Sequence, residues 1–404
     1  MKGFAHRTTV DDALQWVDET ARSLPAMRTE SCSLDSAAGR ILAEDVYSTV
    51  HVPGFPRSMM DGFALRAEDT QGAAPYNPLS FRIVGTAMPG QVVSTEVGPG
   101  QAVRIMTGAP LPQGTDAVLP VEYTESTGET MLASGEVSPG KHVGRVGEDI
   151  LEHSKVLSAS RRLRPQDLGV LSSIGHSLIP VHSRPRVRVL ITGNELLPAG
   201  SRPVGVRISD ANGPMLTALI QRDGGVPDCP GLIPDDPVAL LSAMQEPADV
   251  ILISGGSSTG QEDHAPRLLA EYGELAIHGL AMRPSSPAGM GRLGSSVVFL
   301  LPGNPVSCLC AYDFFAGRLI RQLGGQSANW PYRCRKLPLN RKLVSVAGRV
   351  DYARVRIIAA KVEPTAVSGA SVLSSTTLSD GFVVIPADSE GFPESTVVDV
   401  WLYD

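Results

Sequence analysis

Three short apolar runs in the second half of the chain each lead into a loop of small and polar residues. The loops are Thr192-Gly193-Asn194-Glu195-Leu196, Ser254-Gly255-Gly256-Ser257-Ser258-Thr259-Gly260-Gln261-Glu262-Asp263 and Leu301-Pro302-Gly303-Asn304-Pro305. Glycines let backbone N–H groups approach an anion, and the hydroxyls of Ser257, Ser258 and Thr259 add donors. Glu195 is a candidate to bind a metal or a base edge. The prolines stiffen the third loop and present the Asn304 amide and free N–H groups. Taken singly, each loop is an ordinary turn and Asp263 an ordinary helix N-cap. The second loop matches neither the Walker A nor the G-x-G-x-x-G spacing. Three such loops at equivalent strand ends predict one shared anion pocket.

Acidic turns occur nearer the N-terminus. Ser58-Met59-Met60-Asp61-Gly62 sets a carboxylate beside a glycine, Arg104-Ile105-Met106-Thr107-Gly108-Ala109-Pro110 carries a hydroxyl in another glycine turn, and Gly147-Glu148-Asp149-Ile150 adds two acids. Oxygen donors of this kind suit a hard cation such as Mg²⁺, which keeps waters and uses few protein carboxylates. Acidic residues also favour turns for purely local reasons.

The elements that must position these residues are legible to different degrees. Val187–Thr192, Val250–Ser254 and Val297–Leu301 are strand-sized apolar runs. Helical segments over about Gly213–Arg222, Pro237–Gln245, Ala265–Tyr272 and Pro305–Leu323 alternate with them. Such alternation predicts a parallel sheet covered on both faces, whose ligands bind beyond the carboxyl ends of the strands. The first 45 residues read as helix, capped at Thr8 or Thr9, with a second short helix through Ser36–Leu42. Residues from about 46 to 141 alternate in short β segments broken by Pro and Gly. Pro165–Ile174 reads as a helix with proline in its first turn, and the last 75 or so residues read as all-β.

Composition bounds the function classes. Of 404 residues, 42% are hydrophobic and 19% charged, enough to bury a large core. No apolar run approaches the roughly 18 residues of a membrane span, and the first residues lack the apolar core of a signal peptide, so a cytoplasmic location is expected. The net charge of −7, with no basic cluster, argues against bulk nucleic-acid binding. Five cysteines without zinc spacing read as reduced thiols.

Taken in order, the motifs resemble those of the molybdopterin molybdenumtransferases, the MoeA family, which includes the E domain of gephyrin. The resemblance runs through Pro53–Gly62, Arg104–Pro112, Gly114–Val118, Gly147–Ile150, Thr192–Leu196, Ser209–Asn212, Gly255–Asp263, Leu301–Pro305 and Gly348–Val355. It implies a multidomain α/β plus β fold. The parts would be a split helical subdomain (1–45 and 146–183), an inserted mostly-β subdomain (46–145), a parallel, doubly wound, MogA-like molybdopterin-binding subdomain (184–326) and a C-terminal β-barrel (327–404). It implies a homodimer whose cleft is shared between subunits, and an enzyme that takes adenylated molybdopterin, hydrolyses the adenylate and ligates molybdate, with Mg²⁺. The protein partners implied are a MogA-type adenylyltransferase and molybdoenzyme chaperones. Carried over by position, Asp61, Thr107, Asp149, Glu195 and Asp263 are the catalytic candidates, and Glu195 and Asp235 the metal candidates. Gly255, Gly256, Ser257, Ser258, Gly260, Arg283, Pro302, Asn304 and Pro305 are the substrate-binding candidates.

Departures from the family pattern fall in one region. Asn194 stands where the family has Asp. Gly279 and Arg283 stand at the two cleft lysines, and Ser285 and Ser286 replace a glycine and a frequent lysine. A glycine of the loop after Asp149 is replaced at or near His153. Two expectations follow: a working molybdenum insertase with a drifted pocket, or a catalytically weakened paralog that serves as a dimeric, gephyrin-like peptide-binding scaffold.

Overall fold

The computed structural model describes residues 7–25, 28–92, 94, 96–255, 264–366 and 369–403. Residues up to Glu30 join Val181–Asp404 in one compact unit, and Ser31–Pro180 make the other.

The larger unit takes its first helix from the distant N-terminus. Helix α1 (Val10–Ser23) starts where the Thr9 hydroxyl accepts from the Asp12 N–H, with Asp11 and Asp12 in its first turn. Its apolar positions recur at helical spacing, and Val10, Ala13 and Val17 enter the core of this unit. Arg318 secures the helix by donating to both carboxylate oxygens of Asp18, at 2.7 and 2.8 Å. The helix belongs to the larger unit, while residues 31–45 and 146–180 lie with the β module. The short helix expected over Ser36–Leu42 does not form. One 3-10 turn, Leu34–Ser36, gives way to chain in which Ile41 bridges Arg162. Gly39, at φ 75°, takes the chain out of the right-handed helical path.

The smaller unit is built on a six-stranded sheet of β1 (Gly62–Leu65), β2 (Leu79–Ala87), β3 (Gln101–Ile105), β4 (Ala117–Pro120), β5 (Thr124–Thr127) and β6 (Thr130–Ala133), ordered β4-β1-β3-β2-β6-β5. Helix α2 (Pro165–Ser173) follows, where the sequence places it.

In the larger unit, β7 (Arg186–Thr192) leads to α3 (Asn212–Arg222), β8 (Val226–Asp228), β9 (Leu232–Ile233), α4 (Pro237–Met244) and β10 (Val250–Ser254). Then come α5 (His264–Tyr272), β11 (Glu274–His278), β12 (Met282–Arg283), β13 (Gly289–Leu293) and β14 (Ser296–Leu301). The sheet order is β8-β7-β10-β14-β13-β11, with β9 also on β7. Pairing is parallel from β8 to β14; β13 and β11 close the edge as an antiparallel hairpin. Alternate residues point to opposite faces. Val187, Val189 and Ile191 pack toward α1 and α3, whereas Leu190, Ile251, Ile253, Val298 and Leu300 pack toward α4 and α5. Helix α6 (Pro305–Ala311) continues through a π turn, Tyr312–Ala316, into α7 (Gly317–Leu323). The all-β C-terminus forms β15 (Cys334–Pro338), β16 (Val350–Ile358), β17 (Lys361–Ala366), β18 (Gly381–Ile385) and β19 (Val397–Leu402). Strand β12 adds to its sheet by pairing in parallel with β16.

Val17 is fully buried, and Val17→Ala is expected to cost the larger unit about 2 kcal/mol. The chain's three tryptophans, Trp16, Trp330 and Trp401, all lie in this unit. Urea unfolding followed by tryptophan fluorescence therefore measures the loss.

Candidate functional site

Strand register brings the three glycine loops to one edge. Ile191 pairs with Ser254, and Ser254 with Leu301, so the loops after β7, β10 and β14 leave the sheet at the same level. Thr192 pairs with Ile233, which brings Asp235 to this edge, and the Thr192 hydroxyl donates to Asp235 Oδ1 at 3.2 Å. The backbones meet closely: a Cβ on Gly255, at φ 106°, would lie 2.0 Å from the Thr192 carbonyl oxygen. Only glycine fits there.

At this edge lies a cavity of about 460 Å³ lined by Glu195, Asp210, Asn212, Asp235, Gly255, Asn304, Pro305 and neighbouring residues. Asp210 Oδ1 accepts from the Gly213 N–H at 2.9 Å at the start of α3. Asn212, 8% exposed, donates through Nδ2 to Ser254 Oγ at 2.9 Å and to the Gly303 carbonyl at 2.8 Å. No lysine or arginine is among the described lining residues.

Of the candidates read from sequence, Glu195, Asp235, Gly255, Asn304 and Pro305 are brought together here. Gly256, Ser257, Ser258, Gly260 and Asp263 lie outside the described residues. Pro302 is buried and does not line the cavity. The free N–H groups expected at the start of α6 are partly committed, because the Val306 N–H donates to the Ala370 carbonyl at 3.0 Å. Asp210 and Asn212 were not singled out as site residues, although their motif, Ser209–Asn212, signals a strand-to-helix junction. Among the described residues, no three His, Cys, Asp or Glu side chains are grouped closely enough to enclose a metal ion.

Arg283 stands apart from this cavity. It donates to Asp351 Oδ2 at 2.6 Å, and the same buried carboxylate accepts from Arg349 Nε at 3.0 Å and Ser345 Oγ at 2.8 Å. Two guanidiniums thus share one carboxylate. Ser285 and His153, at positions where the resemblance expects glycine, adopt φ 91° and φ 64°. Both residues adopt the left-handed conformation that glycine takes most easily, and their Cβ atoms make it strained. Ser285 recovers part of that cost, because its hydroxyl donates to the Ser307 carbonyl at 2.6 Å. Gly279 is also left-handed, at φ 92°, so a lysine at that position would be strained.

In the smaller unit, Asp61 and Thr107 form a bonded pair. Asp61 Oδ1 accepts from both the Thr107 N–H and the Thr107 hydroxyl, each at 2.7 Å. Asp149 lies elsewhere, on a cavity of about 440 Å³ with Lys155, Arg161 and Arg164. All five cysteines are free; Cys229 and Cys334 are exposed. Burial pushes the Cys308 thiol up to about 12, so it is inert at neutral pH.

A doubly covered sheet with a polar cavity beyond its strand ends defines the α/β class of fold, in which that edge is the usual place for a small molecule. Comparison with known proteins gives the family. Residues 8–175 match the family model of the MoeA N-terminal region (domains I and II), 188–322 that of a probable molybdopterin binding domain, and 336–403 that of the MoeA C-terminal region (domain IV). The chain is 34% identical over 346 residues to molybdopterin molybdenumtransferase 2 of Mycobacterium tuberculosis, covering 83% of this chain and 84% of that one. It is 29% identical over 411 residues to the molybdopterin molybdenumtransferase of Staphylococcus aureus, covering 97% and 95%. The structure of the molybdopterin biosynthesis MoeA protein of Pyrococcus horikoshii matches with a TM-score of 0.84 at 31% identity, over 99% of this chain and all of that one. The chain belongs to the MoeA family of molybdopterin molybdenumtransferases, transferases of molybdenum cofactor biosynthesis. Among the described residues, no helix is long and apolar enough to cross a membrane.

The Thr107 hydroxyl, followed by the Thr107 N–H, holds the Asp61 carboxyl below its ordinary value of 3.8. The pair's contribution to stability is full above that value and is lost as pH falls through the lowered one. Thr107→Val is expected to return the Asp61 carboxyl part of the way to 3.8, while Thr107→Ser leaves it low. NMR titration of the carboxyl carbon reads both.

Proposed function

We propose that the protein works as a cytoplasmic homodimer that inserts molybdate into adenylated molybdopterin, with hydrolysis of the adenylate. The observation that carries this reading is the carboxylate-lined cavity at the sheet edge. Glu195, Asp210 and Asp235 cannot hold a phosphoanhydride directly, because all are acidic and no described lining residue is basic. Their oxygen donors fit Mg²⁺, which takes one or two protein carboxylates together with phosphate oxygens and waters. Glu195 and Asp235 are the protein ligands in this reading, and the Thr192 hydroxyl holds Asp235 in place. When bound, the ion supplies charge neutralisation at the phosphate oxygens. The backbone at Gly255, Asn304 and Pro305 shapes the wall against which the substrate lies, and Gly256, Ser257, Ser258, Gly260 and Asp263 are assigned to the site from sequence alone.

Arg283 and Arg349, sharing Asp351, leave an excess positive charge. Arg283 Nε and Ser286 Oγ are buried without partners. Both features support an oxyanion position for molybdate on this segment. Asp61 with Thr107, and Asp149, are the functional acids of the smaller unit. Phe55, Met59 and Leu151, in the same loops, are large apolar residues left exposed, a surface of the kind a second copy covers. A molybdopterin-binding part over 184–326 and a C-terminal part from 327 complete the proposed division.

The scaffold reading has its own support in a groove of about 990 Å³ lined by Met215, Leu219, Arg222, Tyr332, Leu402 and Tyr403. Turnover separates the two readings. With adenylated molybdopterin, molybdate and Mg²⁺, the purified protein is expected to release AMP, and Asp235→Asn and Glu195→Gln each to lower the rate at least tenfold and raise the Mg²⁺ requirement. Failure of the unmodified protein to release AMP favours the scaffold. Arg283→Ala is expected to weaken molybdate binding by about 1.5–3 kcal/mol, the range of a charge-assisted hydrogen bond, as read by isothermal titration calorimetry.

A further inference from the structure

Asn212 is a buried amide with an uneven set of partners. Its Nδ2 donates to Ser254 Oγ at the end of β10 and to the Gly303 carbonyl in the loop after β14. A carbonyl oxygen only accepts, so the amide has one permitted orientation: the NH₂ must face Gly303. That leaves Oδ1 buried without a partner. Native structures rarely keep such an atom, and a retained one calls for an explanation. The two groups it ties flank the cavity. Ser254 precedes Gly255, whose backbone abuts the Thr192 carbonyl, and Gly303 precedes Asn304 and Pro305. A Cβ on Gly303 would lie 3.7 Å from the Gly255 Cα, so the backbones at Gly303 and Gly255 run close together where the amide bridges Ser254 and Gly303.

We infer that Asn212 is a positioning residue for the transferase reaction. Its side chain fixes the separation of Ser254 at the end of β10 from Gly303 just after β14, and so the placement of Gly255, Asn304 and Pro305 against the ligand. This rests on the cavity being the reaction site. Misplacement by an ångström can cost about a hundredfold in rate, whereas the fold has the two parallel strands themselves to hold it together.

Three measurements test the role. In AMP release from adenylated molybdopterin with molybdate and Mg²⁺, Asn212→Ala is expected to lower kcat about a hundredfold, with KM changed less than threefold and the urea midpoint near that of the unmodified protein. Asn212→Asp presents a carboxylate to the Gly303 carbonyl. When protonated, the introduced carboxyl can donate again, so activity relative to the unmodified protein is expected to rise as pH falls from 8 to 6. Amide hydrogen exchange at Gly255, Gly303 and Asn304 is expected to quicken at least tenfold in Asn212→Ala, while β7 and β14 stay protected. A kcat within threefold of the unmodified protein, or unchanged exchange at those amides, overturns the inference. If the unmodified protein releases no AMP, the proposed reaction fails, and the exchange experiment still decides whether Asn212 positions the loops.

Discussion

The carbonyl oxygen of Thr192 lies where a side chain on Gly255 would begin. The cavity depends on that backbone-to-backbone approach. It holds Gly255, just after β10, against the end of β7, and the Asn212 amide ties Gly303, just after β14, to Ser254. Because Ile191, Ser254 and Leu301 share one level of the sheet, a single close contact and one amide tie three strand ends together. Packing rigidity converts a regular sheet edge into a shaped site.

Charge is arranged on top of that scaffold in two separated lots. The cavity carries three carboxylates and, among its described lining residues, no cation. Arg283 and Arg349 converge on the one buried carboxylate of Asp351. At Ser285 the left-handed backbone persists with a serine in place of the expected glycine.

The helical segment that begins at Pro305 links this edge to the interior. Its π turn places Asp313 fully inside, where Arg222 and Tyr332 donate to it at 2.9 Å. Burial raises the Asp313 carboxyl above the ordinary value, against the opposing pull of Arg222. Arg222 also reaches Asp223, to which Arg321 contributes a further pair at 3.1 Å. A buried network of this kind adds little net stability, but it is costly to break at one member. It fixes the end of α3 against the helix that carries Pro305 to the cavity.

Local signals reveal α1 to α5, a single helix over Pro305–Leu323 and the three apolar strands: 3.6-residue spacing, continuous apolar runs, and glycine or proline at the ends; the π turn at Tyr312–Ala316 is not among them. The strand-end loops, with Glu195, Asn304 and Pro305, are legible for the same reason, and the order of motifs along the chain points to the family. Other features arise only once the chain is folded. The placement of α1 with the larger unit rests on its packing beside residues some 300 positions away, as the Asp18–Arg318 pair shows. The loss of the Ser36–Leu42 helix follows from the left-handed turn at Gly39 and pairing to Arg162. Asp210 and Asn212 carry no local signature that separates them from helix-start residues. Arg283 reads as a free cation until Asp351, 68 residues on, is found beside it. Contacts between residues distant in sequence are set by strand register and close packing, and no window of neighbouring residues encodes them.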